Sequence, residues 1–252
     1  MQIRWKHKYE HAPGKWVFVP TDESLAEGQR IKNAIEHKWQ PPTYYFHLRS
    51  GGHVAALHSH TSSQFFLRLD IQDFFGSVNR SRVTRCLKKI FGYADARFMA
   101  NASTVNHPGN EKKVMLPYGF VQSPILASLA LYNSALGSCL EHLSTRHQIH
   151  VSVYMDDIIL SSKSREKLAR AMLQIEKAAT KSRFDFHPEK TEGPAPIVTA
   201  FNIELAQGDL SITPTRLLQF IDAYRASDSG FQRDGIAGYV NSVNPLQVAE
   251  LL

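Results

Sequence analysis

The stretch VSVYMDDIILSS (151–162) places two acidic residues between two runs of β-branched and aliphatic residues. Such runs favour strands, and a polar centre between them is typical of a β-hairpin. We therefore predict two strands with Met155, Asp156 and Asp157 near the turn. Acids flanked by apolar strand residues are costly to hold near a core without a cation, whereas aspartate in a plain turn needs none. From these residues alone, a metal site and an ordinary turn both remain open.

A third acid ends another strand-like run upstream. QFFLRLDI (64–71) is rich in Phe, Leu and Ile and predicts a buried strand that closes near Asp70. Neighbouring strands would bring Asp70 towards Asp156 and Asp157. Phosphoryl transfer depends on divalent metal ions, and carboxylate oxygens are the ligands that magnesium prefers. The alternative reading of Asp70 is a helix N-cap or turn residue.

Strands and helices alternate along the rest of the chain. Hydrophobic spacing and Gly or Pro stops predict the following elements: a strand at 15–20, helices at 23–39 and 82–91, a polar loop at 101–113, a long helix through Leu140, a helix at 164–182 and a strand at 198–205. The long helix is expected to begin with Ser123 as its N-cap and Pro124 as its first residue. This mixture predicts an α+β domain with antiparallel strands, related to the ferredoxin-like class.

Composition narrows the class of protein. With 252 residues, 43% of them hydrophobic, the chain can bury a core, and its net charge of +6 suits a polyanionic partner without demanding one. Cys86 and Cys139 favour buried thiols over a disulfide framework. No apolar run is long enough to span a membrane, so we expect a cytoplasmic protein. His53, His58 and His60 cluster, but no cysteine pairs accompany them at zinc-ligand spacing.

Several segments, in the expected order, resemble those of reverse transcriptases, and bacterial ones above all. The matching segments are YMDD (154–157) for the central catalytic motif, LDIQDFF (69–75) for the segment of the first catalytic aspartate, LPYGFVQSPILASL (116–129) for LPQG-x-x-x-SP, HPEKT (187–191) for N-x-x-K-T, K-x-V-x-x-P (15–20) for R-x-I-x-x-P, and residues 44–60 for a fingers segment. The resemblance covers about residues 14 to 205.

The resemblance implies a catalytic set. Asp70, Asp156 and Asp157 would be catalytic, with two Mg²⁺ ions (Mn²⁺ as the alternative) held by Asp70 and Asp156. Asp157 would assist, and the carbonyl of Ile71 would complete the ligands. Lys190 would neutralise or protonate the leaving pyrophosphate, against the plain reading of a solvated surface lysine.

The resemblance also implies a nucleotide-binding set. Phe75 would block a ribose 2′-hydroxyl and select dNTPs, its alternative being core packing. Lys15 would approach the triphosphate as a point charge, its alternative being a plain exposed lysine. Tyr118 and Gly119 would lie over the incoming nucleotide. Tyr118 stands where most of the family has glutamine, and AFNIEL (200–205) lacks the F-L-G of the usual primer-grip hairpin. These departures predict unusual template pairing or primer handling.

A right-hand polymerase with fingers and palm is therefore the expected fold, its palm ferredoxin-like with an antiparallel sheet. The predicted boundaries are fingers at 1–64, palm at 65–79, a fingers insertion at 80–116, palm at 117–207, and the start of a thumb or connection at 208–252. We expect the thumb to be absent or only begun, and favour a fragment of a longer protein.

The implied function is an RNA-directed DNA polymerase that joins dNTPs by two-metal-ion phosphoryl transfer. Its partners would be an RNA or DNA template–primer and, further, a structured non-coding RNA or a protein subunit. Retron, group II intron and phage-defence enzymes all fit, and the departures favour defence. Two alternatives stay open: a template-independent or protein-primed polymerase, and a nucleic-acid-binding scaffold without catalysis. RNA synthesis is disfavoured by Phe75.

Overall fold

The computed structural model describes residues 4–146 and 148–251. Its strands are β1 (Trp5–Ala12), β2 (Lys15–Pro20), β3 (Phe65–Asp70), β4 (Val105–His107), β5 (Asn110–Met115), β6 (His150–Tyr154), β7 (Asp157–Ser162), β8 (Glu192–Ala195), β9 (Val198–Ala200), β10 (Ile203–Ala206) and β11 (Asp209–Ile212). Its helices are α1 (Asp22–Lys38), α2 (Gly52–His58), α3 (Arg80–Phe91), α4 (Tyr93–Ser103), α5 (Ser123–Tyr132), α6 (Ala135–Ser144), α7 (Arg165–Ser182), α8 (Pro214–Ala226) and α9 (Gly230–Val243). Short 3-10 helices lie at Phe46–Leu48, Pro188–Lys190 and Pro245–Leu251.

The chain forms two compact units, and the first contains the described residues up to 42, 71–141 and 177–185. Two antiparallel hairpins, β1–β2 and β4–β5, contribute its strands. Helix α1 begins after Thr21, whose hydroxyl accepts a hydrogen bond from the Ser24 N–H, and it buries Ile31 and Ile35 one turn apart. A small core gathers side chains from the hairpins and the loop that follows them: Phe18, Val105, Met115 and Phe120.

The second unit contains residues 43–70, 142–176 and the described residues from 186 onwards. A four-stranded antiparallel sheet has the order β6-β7-β3-β8, and a three-stranded sheet has the order β11-β10-β9. Its core joins both sheets to α9 and includes Phe66, Ile159, Ile203, Leu205 and Val240. The predicted α+β class with an antiparallel sheet is confirmed.

Three local predictions were wrong. Residues 101–113 are not a loop, since α4 continues to Ser103 and a β-hairpin follows. Ser123 lies inside α5 and does not cap it, because its hydroxyl donates to the carbonyl of Pro117 at 2.7 Å and Gln122 is the N-cap residue. The strand expected at 198–205 is two strands, β9 and β10, which turn at Phe201-Asn202.

The long helix predicted from Ser123 to Leu140 is also wrong, because it is broken into α5 and α6. The side chain of Asn133 donates back to the Leu129 carbonyl, and the Ser134 hydroxyl donates to the Leu131 carbonyl. The same hydroxyl accepts from the Gly137 N–H and so satisfies the start of α6. Polar side chains that compete for backbone groups therefore end one helix and begin the next.

No helix of the described chain combines the length and the hydropathy needed to cross a membrane. Neither cysteine forms a disulfide; Cys86 is buried and Cys139 is half-buried. The segment after β11 is helical, with α8 and α9 followed by a 3-10 helix.

Candidate active site

Strand register brings two of the three predicted aspartates face to face in the second unit. Asp70, the last residue of β3, is the partner of Asp157, the first residue of β7. In β6–β7 the last pair is Tyr154 with Asp157, so Met155 and Asp156 form a two-residue turn, in which Met155 has a φ of 59°. Directly opposed residues of antiparallel strands have Cα atoms about 5 Å apart. The aspartates therefore lie at one end of the sheet.

Each buried carboxylate has a cationic partner. Asp70 is 4% exposed, and its Oδ2 accepts a hydrogen bond from Lys190 Nζ at 3.0 Å. Asp157 is 9% exposed, and its Oδ1 lies 3.0 Å from both Nε and Nη2 of Arg68. The N–H of His187 donates to the carbonyl of Asp70, which ties the Lys190 segment to the end of β3. The structure thus brings Lys190 to the predicted catalytic residues.

Arg68 is a site residue that sequence analysis missed. Its Nη1 donates to the Thr199 carbonyl at 2.7 Å and lies 3.7 Å from Glu192, whose carboxylate accepts from the Thr199 N–H. The sequence did contain a signal for it: Arg68 is a lone cation in an apolar strand, and it lies two residues before Asp70 and so projects from the same face of the strand. Arg68 is held on two sides and fixes Asp157.

Burial makes the charged form of Asp157 less stable than it would be in water. Burial raises the pKa of Asp157 to about 6; Arg68 opposes this rise, while Asp156 and Asp70 add to it. An acidic group in this position is stabilised in its charged form by any further positive charge nearby.

His47 fixes the turn that carries Asp156. Its Nδ1 accepts a hydrogen bond from the Met155 N–H at 3.0 Å, and its ring lies edge-on to Tyr154, 5.8 Å between centroids. Burial lowers the pKa of His47 to about 4, against a backbone hydrogen bond with Val153 that raises it. The imidazole is therefore neutral at pH 7 and keeps the lone pair that the turn requires. Nothing in the spacing of YYFH (44–47) singled it out.

Aromatic side chains surround Tyr154. Its ring lies 5.3 Å from that of Phe201 and 5.9 Å from that of His53. Phe201 and Asn202 have φ values of 57° and 60° at the tip of β9–β10. The Nε2 of His53 is 3.1 Å from the hydroxyl of Tyr239 on α9. The segment that lacks the F-L-G motif nevertheless forms a hairpin, and that hairpin packs on the YMDD motif.

The other predicted site residues belong to the first unit. The rings of Phe75 and Tyr118 meet edge-on at 4.7 Å, and both Phe75 and its neighbour Phe74 are buried. Gly119 has a φ of 96°, and a Cβ there would lie 2.3 Å from the Phe18 carbonyl oxygen, so only glycine fits. Lys15 is exposed at the start of β2 and Ile71 directly follows Asp70. The roles of these residues stay predictions.

Residues 4–146 and 148–251 contain no group of three or more His, Cys, Asp or Glu side chains arranged to hold a metal ion. One carboxylate oxygen of Asp70 contacts Lys190, and one of Asp157 contacts Arg68. The histidines of the 53–60 cluster have separate partners: His58 faces the Ser242 carbonyl, and His60 lies between the hydroxyls of Ser152 and Ser161.

Comparison with known proteins found a family model that matches the chain and solved structures that resemble it. A family model described as reverse transcriptase (RNA-dependent DNA polymerase) matches residues 26–199. A foamy viral protease-reverse transcriptase in complex with double-stranded DNA is 15% identical with a TM-score of 0.52, over 92% of this chain and 34% of that one. Telomerase from Candida albicans, with a fragment of telomeric RNA, is 10% identical with a TM-score of 0.54, over 94% of this chain and 53% of that one.

At these identities the likeness to solved structures shows the fold alone. The chain spans about a third of the viral chain and about half of the telomerase chain. Among curated proteins, no match was found.

Proposed function

Because the chain belongs to the reverse transcriptase family, we propose that it is an RNA-directed DNA polymerase that adds dNTPs to a primer end. The observation that carries this proposal is the pairing of Asp70 with Asp157 on neighbouring strands, with Asp156 in the adjoining turn. A nucleic-acid scaffold would have no need to hold an acid at Asp157, where burial makes the charged form costly.

The chemistry of the proposed donors, all of them oxygen atoms, suits divalent metal. Asp70 and Asp156 would hold two Mg²⁺ ions, with Mn²⁺ as the alternative, and the Ile71 carbonyl would complete the ligands, since all of these are hard oxygen donors. When bound, the ions supply positive charge that stabilises the attacking and leaving oxygens of phosphoryl transfer. The ion pair of Asp157 with Arg68 supports the assisting role for Asp157, because one of its oxygens is already engaged.

Lys190 would act on the leaving group. Its ammonium is fixed 3.0 Å from Asp70 and is 40% exposed, so it can contact solvent and substrate from that side. A cation held beside the reacting centre offsets negative charge on departing pyrophosphate and can donate a proton to it.

Deoxynucleotide selection would depend on the Phe75–Tyr118 pair. The edge-on contact fixes both rings, and a fixed ring can exclude a 2′-hydroxyl by its bulk. Gly119 would let the backbone approach the nucleotide closely, and Lys15 would supply a point charge to the triphosphate. These roles rest on the family resemblance and on the geometry of the first unit.

We further infer an RNA or DNA template–primer as partner, with a structured RNA or a protein subunit completing the grip on duplex. Antiviral defence in a bacterial cytoplasm is the biological setting we favour, since tyrosine replaces glutamine at 118 and the F-L-G motif is missing from 200–205. The same two departures favour the alternative of template-independent or protein-primed synthesis by the same fold.

Incorporation of labelled dNTPs by the purified full-length protein, with Mg²⁺ and a primed RNA, tests the proposal. We expect Asp70→Asn and Asp156→Asn each to lower kcat by roughly 10²-fold or more. Asp222→Asn, an exposed acid on α8, is the matched control and should leave kcat unchanged. Equal activity of Asp156→Asn and wild type would refute catalysis by this site. Synthesis that persists without template would instead support the template-independent alternative.

A further inference from the structure

A cation-lined cavity lies in the first unit, built by the start of α3, the end of α5 and the end of α7. Its volume is about 470 Å³, which is within the range of small-ligand pockets. Four of its lining residues are cations, Arg82, Arg85, Lys181 and Arg183, and none of its lining residues is Asp or Glu. Like charges this close repel one another unless an anion lies among them.

Arg82 is the innermost of these cations and is only partly satisfied. Its Nη2 donates to the Ser182 carbonyl, and its guanidinium carbon lies 4.5 Å from the centroid of the Phe184 ring. Its Nη1 is buried and has no hydrogen-bond partner among the described residues. A buried charged donor without a partner is destabilising, so this nitrogen marks a place where an acceptor fits.

The electrostatics of Arg82 agree with that geometry. Burial lowers the pKa of the Arg82 guanidinium; Arg85 and Arg183 lower it further, and only the Cys86 thiol acts in the opposite sense. No carboxylate contributes. Nη2 of Arg82 has a structural role, because it donates to the Ser182 carbonyl in the last turn of α7. That role does not explain the buried Nη1, which has no partner among the described residues, or the three other cations that line the same cavity.

The basic surface extends beyond the cavity. Helix α3, RSRVTRCLKKIF, has five cations and no acid, and its length is about 18 Å at 1.5 Å per residue. Arg85, Lys88 and Lys89 are exposed along it. A strip of this length is larger than one phosphate group. Repeated phosphates match it better than a single small anion.

We propose that this cavity and the exposed cations of α3 bind the sugar-phosphate backbone of a nucleic-acid strand. None of the residues that line this cavity belongs to the proposed catalytic or nucleotide-binding set, so it is an additional site. Arg82 Nη1 donates to one phosphate oxygen, and Arg85, Lys181 and Arg183 neutralise that phosphate and its neighbours. These contacts recognise the charge and the spacing of phosphates, which RNA and DNA share, so the site binds both.

The test is the salt dependence of binding by the full-length protein. Fluorescence anisotropy with labelled single strands of RNA and of DNA gives log Kd against log salt, whose slope for single strands is about 0.7 per phosphate contact. A triple variant, Arg85→Gln with Lys181→Gln and Arg183→Gln, should lower the magnitude of this slope by about 2. The three side chains are exposed, so the variant should keep the Tm of wild type.

The control is an equal loss of charge elsewhere in the first unit: Arg30→Gln, Lys32→Gln and Arg97→Gln on α1 and α4. It should retain the wild-type slope, and amide exchange over residues 79–86 should slow when the strand binds wild type. Equal slopes for the two triple variants would overturn the proposal. Full protection of 79–86 by inorganic phosphate at constant ionic strength would also overturn it, in favour of a free-anion site. Neither result depends on dNTP incorporation, so the proposal and the polymerase function can fail separately.

Discussion

A single imidazole nitrogen, Nδ1 of His47, holds the turn that carries Asp156. Met155 has left-handed backbone geometry, and its N–H points at the Nδ1 of His47, where no strand partner is available. A neutral histidine is well suited here, because its lone pair accepts while burial keeps the proton off at pH 7. The position of Asp156 therefore depends on a residue more than a hundred positions upstream.

Removal of that acceptor should impair catalysis more than binding. In His47→Leu the Met155 N–H loses its partner, so the turn shifts, and we expect kcat to fall about 10-fold to 100-fold with little change in KM for dNTP. His47→Asn retains an oxygen near the place of Nδ1 and should recover most of the activity. Steady-state kinetics on a primed template would check this. A Leu variant with unchanged kcat, or an Asn variant as impaired as Leu, would contradict the positioning role.

A second prediction at the scale of single residues concerns Phe75. We expect Phe75→Val to open space beside Tyr118 and to narrow the preference for dNTP over rNTP by roughly 10-fold or more, as about 1 to 3 kcal/mol of discrimination is lost. Phe74→Val is the matched control, since it removes the same atoms from the neighbouring buried ring. Competition between dNTP and rNTP measures the preference. If both variants narrow it equally, general loosening is the cause and Phe75 is not a gate.

At the scale of elements, α5 and α6 show how a tight connection is built. The turn at Asn133-Ser134 brings the start of α6 against the end of α5, and a Cβ at Gly137 would lie 2.2 Å from the Leu131 carbonyl oxygen and 2.5 Å from that of Tyr132. Both are backbone atoms that cannot rotate away. Glycine is therefore required at this contact.

Gly137→Ala should consequently destabilise the fold. We expect the free energy of unfolding to fall by about 2 kcal/mol or more, because the helices must separate to admit the methyl group. Gly238→Ala in α9 is the control, since nothing lies within 4 Å of its Cβ position, and alanine there should be neutral or add up to about 1 kcal/mol. Urea unfolding measures both. Similar losses in the two variants would show that the contact is not the cause.

Strong local patterns made most elements predictable. The strands at 65–70 and 150–162 follow from runs of apolar residues, and Gly92, with a φ of 81°, ends α3 where expected. The break at Asn133-Ser134 was missed because apolar spacing continues through it, and only side-chain hydrogen bonds interrupt the helix. At the site, the aspartates were found from their acidity among apolar neighbours. Arg68 had a local signal in its position two residues before Asp70, but its partners Asp157 and Thr199 lie far away in sequence. His47 acts through a contact with Met155 that no local pattern records.

For the whole molecule, buried histidine links stability to pH. His60 is completely buried between the hydroxyls of Ser152 and Ser161 and faces His150, and burial lowers its pKa well below 6.5. The folded state therefore binds fewer protons than the unfolded state as the medium becomes acidic. The contribution of His60 to the free energy of unfolding is therefore complete above pH 6.5, the ordinary pKa of the side chain, and is lost as the pH falls below that value.

We expect the free energy of unfolding to decrease below pH 6.5 by up to about 1.4 kcal/mol per pH unit for His60, with His47 adding to the decrease. His60→Gln should flatten the curve between pH 5 and 7, whereas His58→Gln, at an exposed position, should leave its shape unchanged. Chemical denaturation across this range provides the measurement. A His60→Gln curve as steep as that of wild type would assign the acid sensitivity to other groups.

The contacts from residues 44–47 to β6 also satisfy backbone amides at an edge of the sheet. β6 is the outermost strand of its sheet, and outer strands with unpaired amides recruit strands from other chains. Here the Val153 N–H donates to the Tyr44 carbonyl and the Met155 N–H to His47, so this border has no open amides at those positions. If these contacts were lost, the β6 edge of the YMDD hairpin should pair with strands of other copies, and light scattering would detect the resulting self-association.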